Sequence, residues 1–497
     1  MGVVIKQSFW GSLLAYLGVV IGFLNTIYLR PLFLDLDEIG LITMVVSNAL
    51  LIAPFVAVGM PATYIKYFPY FQQDEFLNRQ FFSFQLVVII LANILLALLV
   101  WAGFGFIEKY YQADSSEYLN YVWISVIITL FSAIFLQLHS YSRTKLDVVL
   151  PNGIKEVGFR LGSITAIILL GLKLISLQTT IYLFVAIYII PVVILFYNLY
   201  KKYNLRLTWS FSQIKKQWIS KMANFGGYSL LLAGSGSIYS NISFLMIPAM
   251  LSLEANGIYS TCFYIGIVIE MPKRAMGQIV SPLISTHFKT NDFKEINNLY
   301  KKVSHTLTII SILFFIGILN NLSDLFSLIP KGSVLANGYY VVLFISISKV
   351  VDLAFSINSE ILVYSKFKKL NLYYYVMTAL LMLVLNYSLI PIYGISGAAF
   401  GFLITTFVFN LLKSITLKIK LGLSPFTKKH LGILLFSSLV TITFYFLPLT
   451  NNALWNIIIR SVLMTIVYVV GVYIFKFSND INNLIENLAK KYLKISF

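Results

Sequence analysis

The alternation of lysine and arginine along a series of long apolar runs constrains this chain more than any other feature. Runs of mainly apolar residues, each about 20 long and so sufficient to cross a bilayer as a helix, recur along the whole sequence. They fall near residues 8–29, 39–60, 82–104, 120–141, 154–172, 178–199, 222–249, 256–281, 303–329, 338–363, 370–391, 394–415, 430–448 and 453–476. With the N-terminus placed on the cytoplasmic side, the inner segments collect about 27 of the 37 basic residues. One inner loop holds Lys201, Lys202, Arg206, Lys215, Lys216 and Lys221, and another Lys413, Lys418, Lys420, Lys428 and Lys429. The outer loops hold Arg30, Lys109, Lys173 and Lys331 and are otherwise acidic, as at Asp35, Asp37 and Glu38 or Glu108, Asp114 and Glu117. A missed or invented span would invert the bias from that point onward. It never inverts, so the expectation is about fourteen transmembrane helices with both termini cytoplasmic.

Hydrophobic residues make up 59% and charged residues 11% of the chain, which excludes an ordinary soluble domain. Loops between the runs are short and leave no room for a soluble catalytic domain. Ten-residue segments of alternating polarity are absent, so the bundle is all-α rather than a β-barrel. The net charge of +18 sits in the loops, as topology signals do, and does not point to nucleic acid. The single cysteine, Cys262, lies within an apolar run, excludes an intrachain disulfide and reads as a small core side chain. Only Lys6 precedes the first long run, and Asn25 to Pro31 offers no small-residue cleavage site, so a retained first helix is expected. His139, His287, His305 and His430 show no ligand spacing. No metal and no cofactor are expected, and nothing in the outer loops supports a Ser-His-Asp arrangement.

The chain repeats itself. Leu253-Glu254-Ala255-Asn256-Gly257 echoes Leu36-Asp37-Glu38-Ile39-Gly40 at an offset of about 217 residues, and Lys420-Leu421-Gly422-Leu423 echoes Lys202-Tyr203-Asn204-Leu205 at about 218. An even number of helices per repeat makes the repeats parallel, related by an axis along the membrane normal. The expected organisation is a six-helix N-terminal lobe over 1–200, a cytoplasmic linker over 201–221 and a six-helix C-terminal lobe over 222–420. Helices 13 and 14 and a cytoplasmic tail then fill 421–497. Trp209, Phe211, Ile214 and Trp218 among the linker lysines predict an amphipathic helix on the membrane surface, and Asp480 to Lys494 predicts a second.

Three runs carry charge inside the bilayer: the fifth (Lys155, Glu156, Arg160), the eighth (Glu270, Lys273, Arg274) and the tenth (Lys349, Asp352, Glu360). Ionisable groups are costly there and mark pathways or paired contacts. Glu156 with Arg160 and Glu270 with Arg274 are i,i+4 pairs that can neutralise each other on one helix face, and groups near a helix end can snorkel. Lys349 and Asp352 lie about 16 to 21 Å into their run, near mid-bilayer. The functional alternative is a cationic cavity between the two halves. In it Lys155, Arg160, Lys273, Arg274 and Lys349 receive an anionic group such as phosphate, and Glu156, Glu270, Asp352 and Glu360 serve proton or sodium coupling. Pro272 either bends the eighth helix into a cavity lining or kinks it without function. Gly234-Ser235-Gly236-Ser237 reads as a close-packing stretch, since no strand precedes it as in a phosphate loop.

Arg30-Pro31, Glu38-Ile39-Gly40-Leu41 and Val58-Gly59-Met60 resemble the opening pair of helices of the multidrug/oligosaccharidyl-lipid/polysaccharide (MOP) exporter superfamily, in its polysaccharide transporter group of Wzx-type flippases. Ala255-Asn256-Gly257-Ile258-Tyr259 is similar to that group's repeat. Leu389-Ile390-Pro391-Ile392-Tyr393-Gly394-Ile395-Ser396-Gly397-Ala398-Ala399 is similar to its turn between helices 11 and 12. The resemblance covers essentially the whole chain. It implies two facing six-helix lobes, alternating access, and transfer of an isoprenoid-diphosphate-linked oligosaccharide, such as an O-antigen repeat unit, across a bacterial inner membrane. Its implied partners are that lipid-linked substrate, membrane lipids, a coupling proton or sodium ion, and glycan polymerase or export machinery. Lipid II flippases of the same superfamily are a near alternative, though they usually carry more arginine in the first helix, and Ser8 to Leu29 has none. A drug/cation antiporter of this fold would need a dominant buried carboxylate and an apolar cavity. A membrane enzyme such as a glycan polymerase or ligase would need basic or histidine residues in a long outer loop. The chain is read as a carrier, not an enzyme.

Overall fold

The computed structural model describes residues 2–111, 113–445, 450 and 452–488. Among them nine helices are long and apolar enough to cross a membrane, or ten if a pair bent by 46°, Lys216–Asn241 and Ser243–Met250, is one span. Each of the fourteen predicted runs is mainly helical where it is described, with non-helical breaks as at 57–59 and 356–357, and the last residues of the thirteenth run, 446–448, lie outside the described residues. The first seven spans are α1 (Gly2–Phe23, a π turn Leu24–Leu29 and Arg30–Phe33), α2 (Leu36–Val56, resumed as Met60–Phe71), α3 (Glu75–Ala102), α4 (Val122–Thr144), α5 (Val149–Gly153, a π turn Ile154–Gly158 and Phe159–Gly171), α6 (Leu177–Tyr203) and α7 (the bent pair). Then follow α8 (Leu253–Ile267, a 3-10 turn Val268–Glu270 and Met271–Lys289), α9 (Phe293–Leu328) and α10 (Tyr339–Phe355 and Asn358–Tyr364). One 54-residue helix, Lys368–Leu421, holds two spans. It breaks at Gly394, whose φ of 59° and ψ of −141° suit only glycine, so 368–393 is α11 and 395–421 is α12. The chain closes with α13 (Lys428–Tyr445), α14 (Ala453–Ile474) and a short α15 (Asn479–Leu488). The rest of the predicted tail helix, 489–494, lies outside the described residues.

Helix ends follow side-chain chemistry. Glu38 Oε2 accepts from the Asp35 N–H at 2.8 Å in a capping box that starts α2, and Asp74 Oδ1 accepts from the Leu77 N–H at 3.0 Å to start α3. Asn204, left-handed at φ 52°, ends α6.

Two compact units form, one of Met1–Ser260 with Tyr375–Ile395, the other of Thr261–Tyr374 with Ser396–Phe497. Within lipid the association of helices rests on close packing and interhelical hydrogen bonds rather than on a hydrophobic drive. In the first unit Tyr64 stacks on Phe81 (5.3 Å between ring centres) and Tyr141 (5.6 Å), and its hydroxyl donates to Asn78 Oδ1 at 3.0 Å. The predicted linker helix does not form. Residues 204–215 are irregular and strap onto α3: the Gln80 side chain binds Ser210 Oγ and the Gln213 N–H, each at 3.3 Å, and Ser83 Oγ accepts from the Thr208 N–H at 3.0 Å. Leu205 and Ile214 are buried with Phe211 and Trp218 packed beside them while Trp209 is exposed, so apolar packing and the polar bonds to α3 together hold the segment.

Also within the first unit, the starts of α2 and α8 cross at backbone contact. A Cβ on Gly40 would overlap the Leu253 carbonyl, and a Cβ on Gly257 would overlap the Leu36 carbonyl. Asn256 Nδ2 donates to the Gly40 carbonyl at 2.9 Å, and Thr43 Oγ1 donates to Ser260 Oγ at 3.5 Å across a separation of 217 residues. The echoing segments therefore meet each other, residue against counterpart, as an isologous contact does.

The second unit holds an intramembrane ion pair that hydropathy does not flag: Arg460 of α14 with Asp324 of α9, Nη1 to Oδ2 at 2.8 Å, so charge inside the runs is not confined to the fifth, eighth and tenth. Arg460 also donates to the Asn320 carbonyl at 2.5 Å and to Asn321 Oδ1 at 3.3 Å. Arg460→Leu is expected to leave Asp324 with only Asn456, 3.4 Å away, and to cost about 3–5 kcal/mol, read as a lower thermal midpoint in detergent. The double variant with Asp324→Leu is expected to recover most of that loss, because no unpaired charge then remains buried.

Candidate functional site

The second unit brings six of the nine candidate residues together, all on α8 and α10. Lys349 Nζ lies 2.7 Å from Glu270 Oε2, and Lys273 Nζ lies 2.7 Å from Asp352 Oδ2. Both pairs span 79 residues, so Glu270 and Lys273 on one helix meet Lys349 and Asp352 on the other in a two-rung ladder of reversed sign. The i,i+3 spacing on each helix puts the rungs on one face. Arg274 Nε reaches Glu270 Oε1 at 3.3 Å, with almost half of its side chain exposed, while the Lys349 side chain is 9% exposed.

A third helix closes the ladder. Asn410 of α12 donates to Asp352 Oδ1 at 3.0 Å and accepts from Asn358 Nδ2 at 2.9 Å. One turn on, Lys413 is 1% exposed, donates to Ser359 Oγ at 2.7 Å and sits 3.6 Å above the Phe409 ring. The sequence placed Lys413 with the basic loop beyond α12. The structure corrects this, because its ammonium is a core group. Hydropathy cannot separate a buried lysine near a helix end from one that snorkels, but the i,i+3 spacing of Asn410 and Lys413 on an apolar helix was the available signal. With all groups ionised, Lys273, Arg274, Lys349 and Lys413 outnumber Glu270, Asp352 and Glu360 by one positive charge. Among the described residues Glu360 has no ion-pair partner, and its Oε2 is buried without a hydrogen bond.

Both helices break beside these groups. The 3-10 turn Val268–Glu270 interrupts α8, and Pro272 falls in the first turn of the resumed helix, where a missing N–H costs nothing. The helical geometry thus changes just before the proline. In α10, Ser356 sits at φ 59° and ψ −121° between Asp352 and Glu360. A non-glycine residue in that region costs about 1–3 kcal/mol and persists where its surroundings over-determine it. Discontinuous helices in a membrane free backbone polar groups for a ligand or a cavity. A cleft of about 630 Å³ opens here, its walls including Glu270, Lys273, Arg274, Glu360 and Tyr364.

Lys155, Glu156 and Arg160 belong to the first unit and join no such ladder. Lys155 and Glu156 lie within the π turn of α5, and Arg160 follows it. Arg160 Nη1 bonds the Glu156 carbonyl, which that turn frees, and pairs with Glu156 Oε2 at 3.3 Å, its guanidinium lying against Gly18 and Gly22 of α1. The local i,i+4 pairing is what the geometry displays, and Lys155 is exposed. Cys262 is buried, as expected of a core side chain. Gly234 of α7 packs against the Phe55 ring of α2, in line with a packing role for its stretch. Among the described residues no group of three or more His, Cys, Asp or Glu is arranged to hold a metal ion.

No protein-family model matches the sequence, and no curated protein matches it. Solved structures do match. Lipid II flippase MurJ in an inward closed conformation superposes with a TM-score of 0.77 at 14% identity, over 94% of this chain and 98% of that one. An inward-facing multidrug resistance MATE family transporter of the MOP superfamily gives 0.62 at 11% identity, over 83% and 94%. A MATE structure in complex with MaL6 gives 0.57 at 12% identity, over 84% and 96%. At such identities the likeness is one of fold, and the chain is a membrane helix bundle with the fold that these flippase and MATE structures share.

Proposed function

We propose that the protein is a flippase that moves an isoprenoid-diphosphate-linked oligosaccharide from the cytoplasmic to the outer leaflet of a bacterial inner membrane by alternating access, without covalent chemistry. The observation that carries this reading is the charged ladder between the broken helices α8 and α10, which brings Lys273, Arg274 and Lys349 together. Lysine ammonium groups offer point charges and an arginine offers a planar fork, the donors that suit a diphosphate. Lys273, Arg274 and Lys349 are the groups assigned to the anion, and Glu270 holds two of them in place when no anion is bound. The fold supports the same reading, since lipid II flippase MurJ shares it over nearly the full length of both chains.

Removing the protein from its host is expected to make a diphosphate-linked glycan accumulate on the cytoplasmic leaflet, measured by mass spectrometry of extracted lipids. An unchanged lipid pool with continued export would overturn the proposal. A second reading, a drug or cation antiporter, is favoured by the MATE matches and by the unpartnered Glu360 carboxylate. It predicts instead raised sensitivity to cationic drugs in the same deletion strain, with a normal glycan pool.

A further inference from the structure

Beside the ladder, the resumed part of α8 and the last turns of α10 frame a polar trench within the second unit. Arg274, Gly277, Ser281 and Ser285 follow one another at helical spacings of three and four, so they share one face of α8. Glu360 and Tyr364, four apart, share the facing side of α10, and all six residues line the same cleft. Position 277 has no side chain, and a Cβ there would lie 3.9 Å from Glu360 Oε1, so the two walls come near each other at this point. Glu360 Oε2 is buried with no donor among the described residues. A buried acceptor left open normally costs about 1–3 kcal/mol, so a turn of the Glu360 side chain that brings this oxygen to a donor in the cleft is favoured.

The missing donor is not an anion. A phosphate would bring further negative charge to the free carboxylate of Glu360, whereas hydroxyl or amide N–H groups would satisfy it. Two serine hydroxyls on the opposite wall can donate and accept, and the half-exposed phenol ring of Tyr364 offers a flat apolar face with a polar tip. A ring with one apolar face and a rim of hydroxyls matches this set, and a volume of about 630 Å³ is ample for one or two such rings.

We infer that the cleft between α8 and the end of α10 binds an uncharged glycosyl ring of the cargo, stacked on Tyr364 and hydrogen-bonded to Glu360, Ser281 and Ser285. The inference rests on the proposed flippase function and adds a site for the sugar in the same cleft that Lys273 and Arg274 line, at Ser281 and Ser285, roughly two to three turns further along α8. The intact protein in lipid nanodiscs would be probed by saturation-transfer NMR with methyl glycosides of glucose, galactose and N-acetylglucosamine. At least one is expected to give a saturation signal that falls fivefold or more in Tyr364→Ala and in Glu360→Gln. Tyr364→Phe, which keeps the ring, is expected to retain the signal within about twofold, which separates stacking from folding defects. Inorganic pyrophosphate is expected not to compete. Signals equal in wild type and Tyr364→Ala, silence from all three glycosides, or competition by pyrophosphate would each overturn the site. If glycoside binding behaves as expected while the deletion strain accumulates no lipid-linked glycan, the flippase reading fails and the sugar site stands. If that strain does accumulate the glycan while Tyr364→Ala and Glu360→Gln both export it in full, the flippase reading stands and the sugar site fails.

Discussion

Lys349→Met is expected to abolish export of the glycan unit and to lower the stability of the purified protein by about 3–5 kcal/mol, the range for removing one partner of a buried ion pair. Lys349 is 9% exposed at its side chain and meets Glu270 at 2.7 Å, so the variant leaves that carboxylate with only the half-exposed Arg274. The control is Lys349→Met with Glu270→Met. Replacing both members of a buried pair by apolar side chains is often neutral or stabilising by about 1–4 kcal/mol, so the double variant is expected to regain the thermal midpoint. It is not expected to regain export, because the donor for the anion is gone. Full export by the single variant would remove Lys349 from the site, and full export by the double variant would reduce the pair to a structural brace. Complementation of a deletion strain, together with thermal unfolding, reads both.

The second large effect concerns the crossing of α2 and α8. Thr43→Cys with Ser260→Cys, in a Cys262→Ser background that removes the chain's own thiol, places two sulfurs where the hydroxyl oxygens stand 3.5 Å apart. Disulfide bonds are about 2.05 Å long, so a modest approach of the side chains closes the link. Mild oxidation is expected to form it, stop export and leave the protein folded, and a reductant is expected to restore export. In an alternating-access carrier a backbone contact of this kind at one end of the helices must part once per cycle. Undiminished export by the crosslinked protein would show that this crossing stays shut throughout.

Much of the fold is legible in the sequence because each run has to be both apolar and about 20 residues long, and lysine placement checks the count independently. Two of the places where expectation fails have a common cause. The linker's composition, aromatic residues among lysines, suggests a surface helix, whereas its path is set by Gln80 and Ser83 on a helix more than a hundred residues earlier. Lys413 looks like a loop residue beside its neighbours in sequence, whereas its burial comes from Ser359 and Phe409. Glu270, Lys273, Lys349 and Asp352 can be found because charge is rare inside apolar runs. Their pairing cannot, since it depends on α8 and α10 lying side by side in register. Arg460 and Asp324 escape notice because each is the lone charge in its part of a run.

The crossing of α2 and α8 also bears on how such a chain can change over time. Leu36 faces Gly257, Gly40 faces Leu253, and Thr43 faces Ser260, so each position meets its counterpart in the other repeat or the residue one turn from it. This is the geometry of a homodimer joint carried on one polypeptide. A larger residue at Gly40 cannot be answered by a smaller one at Gly257, because the obstacle is the Leu253 backbone. A substitution in residues 36–43 is therefore answerable only within 253–260 and the reverse, whereas the charges of α8 and the strap after α6 carry no such reciprocal constraint.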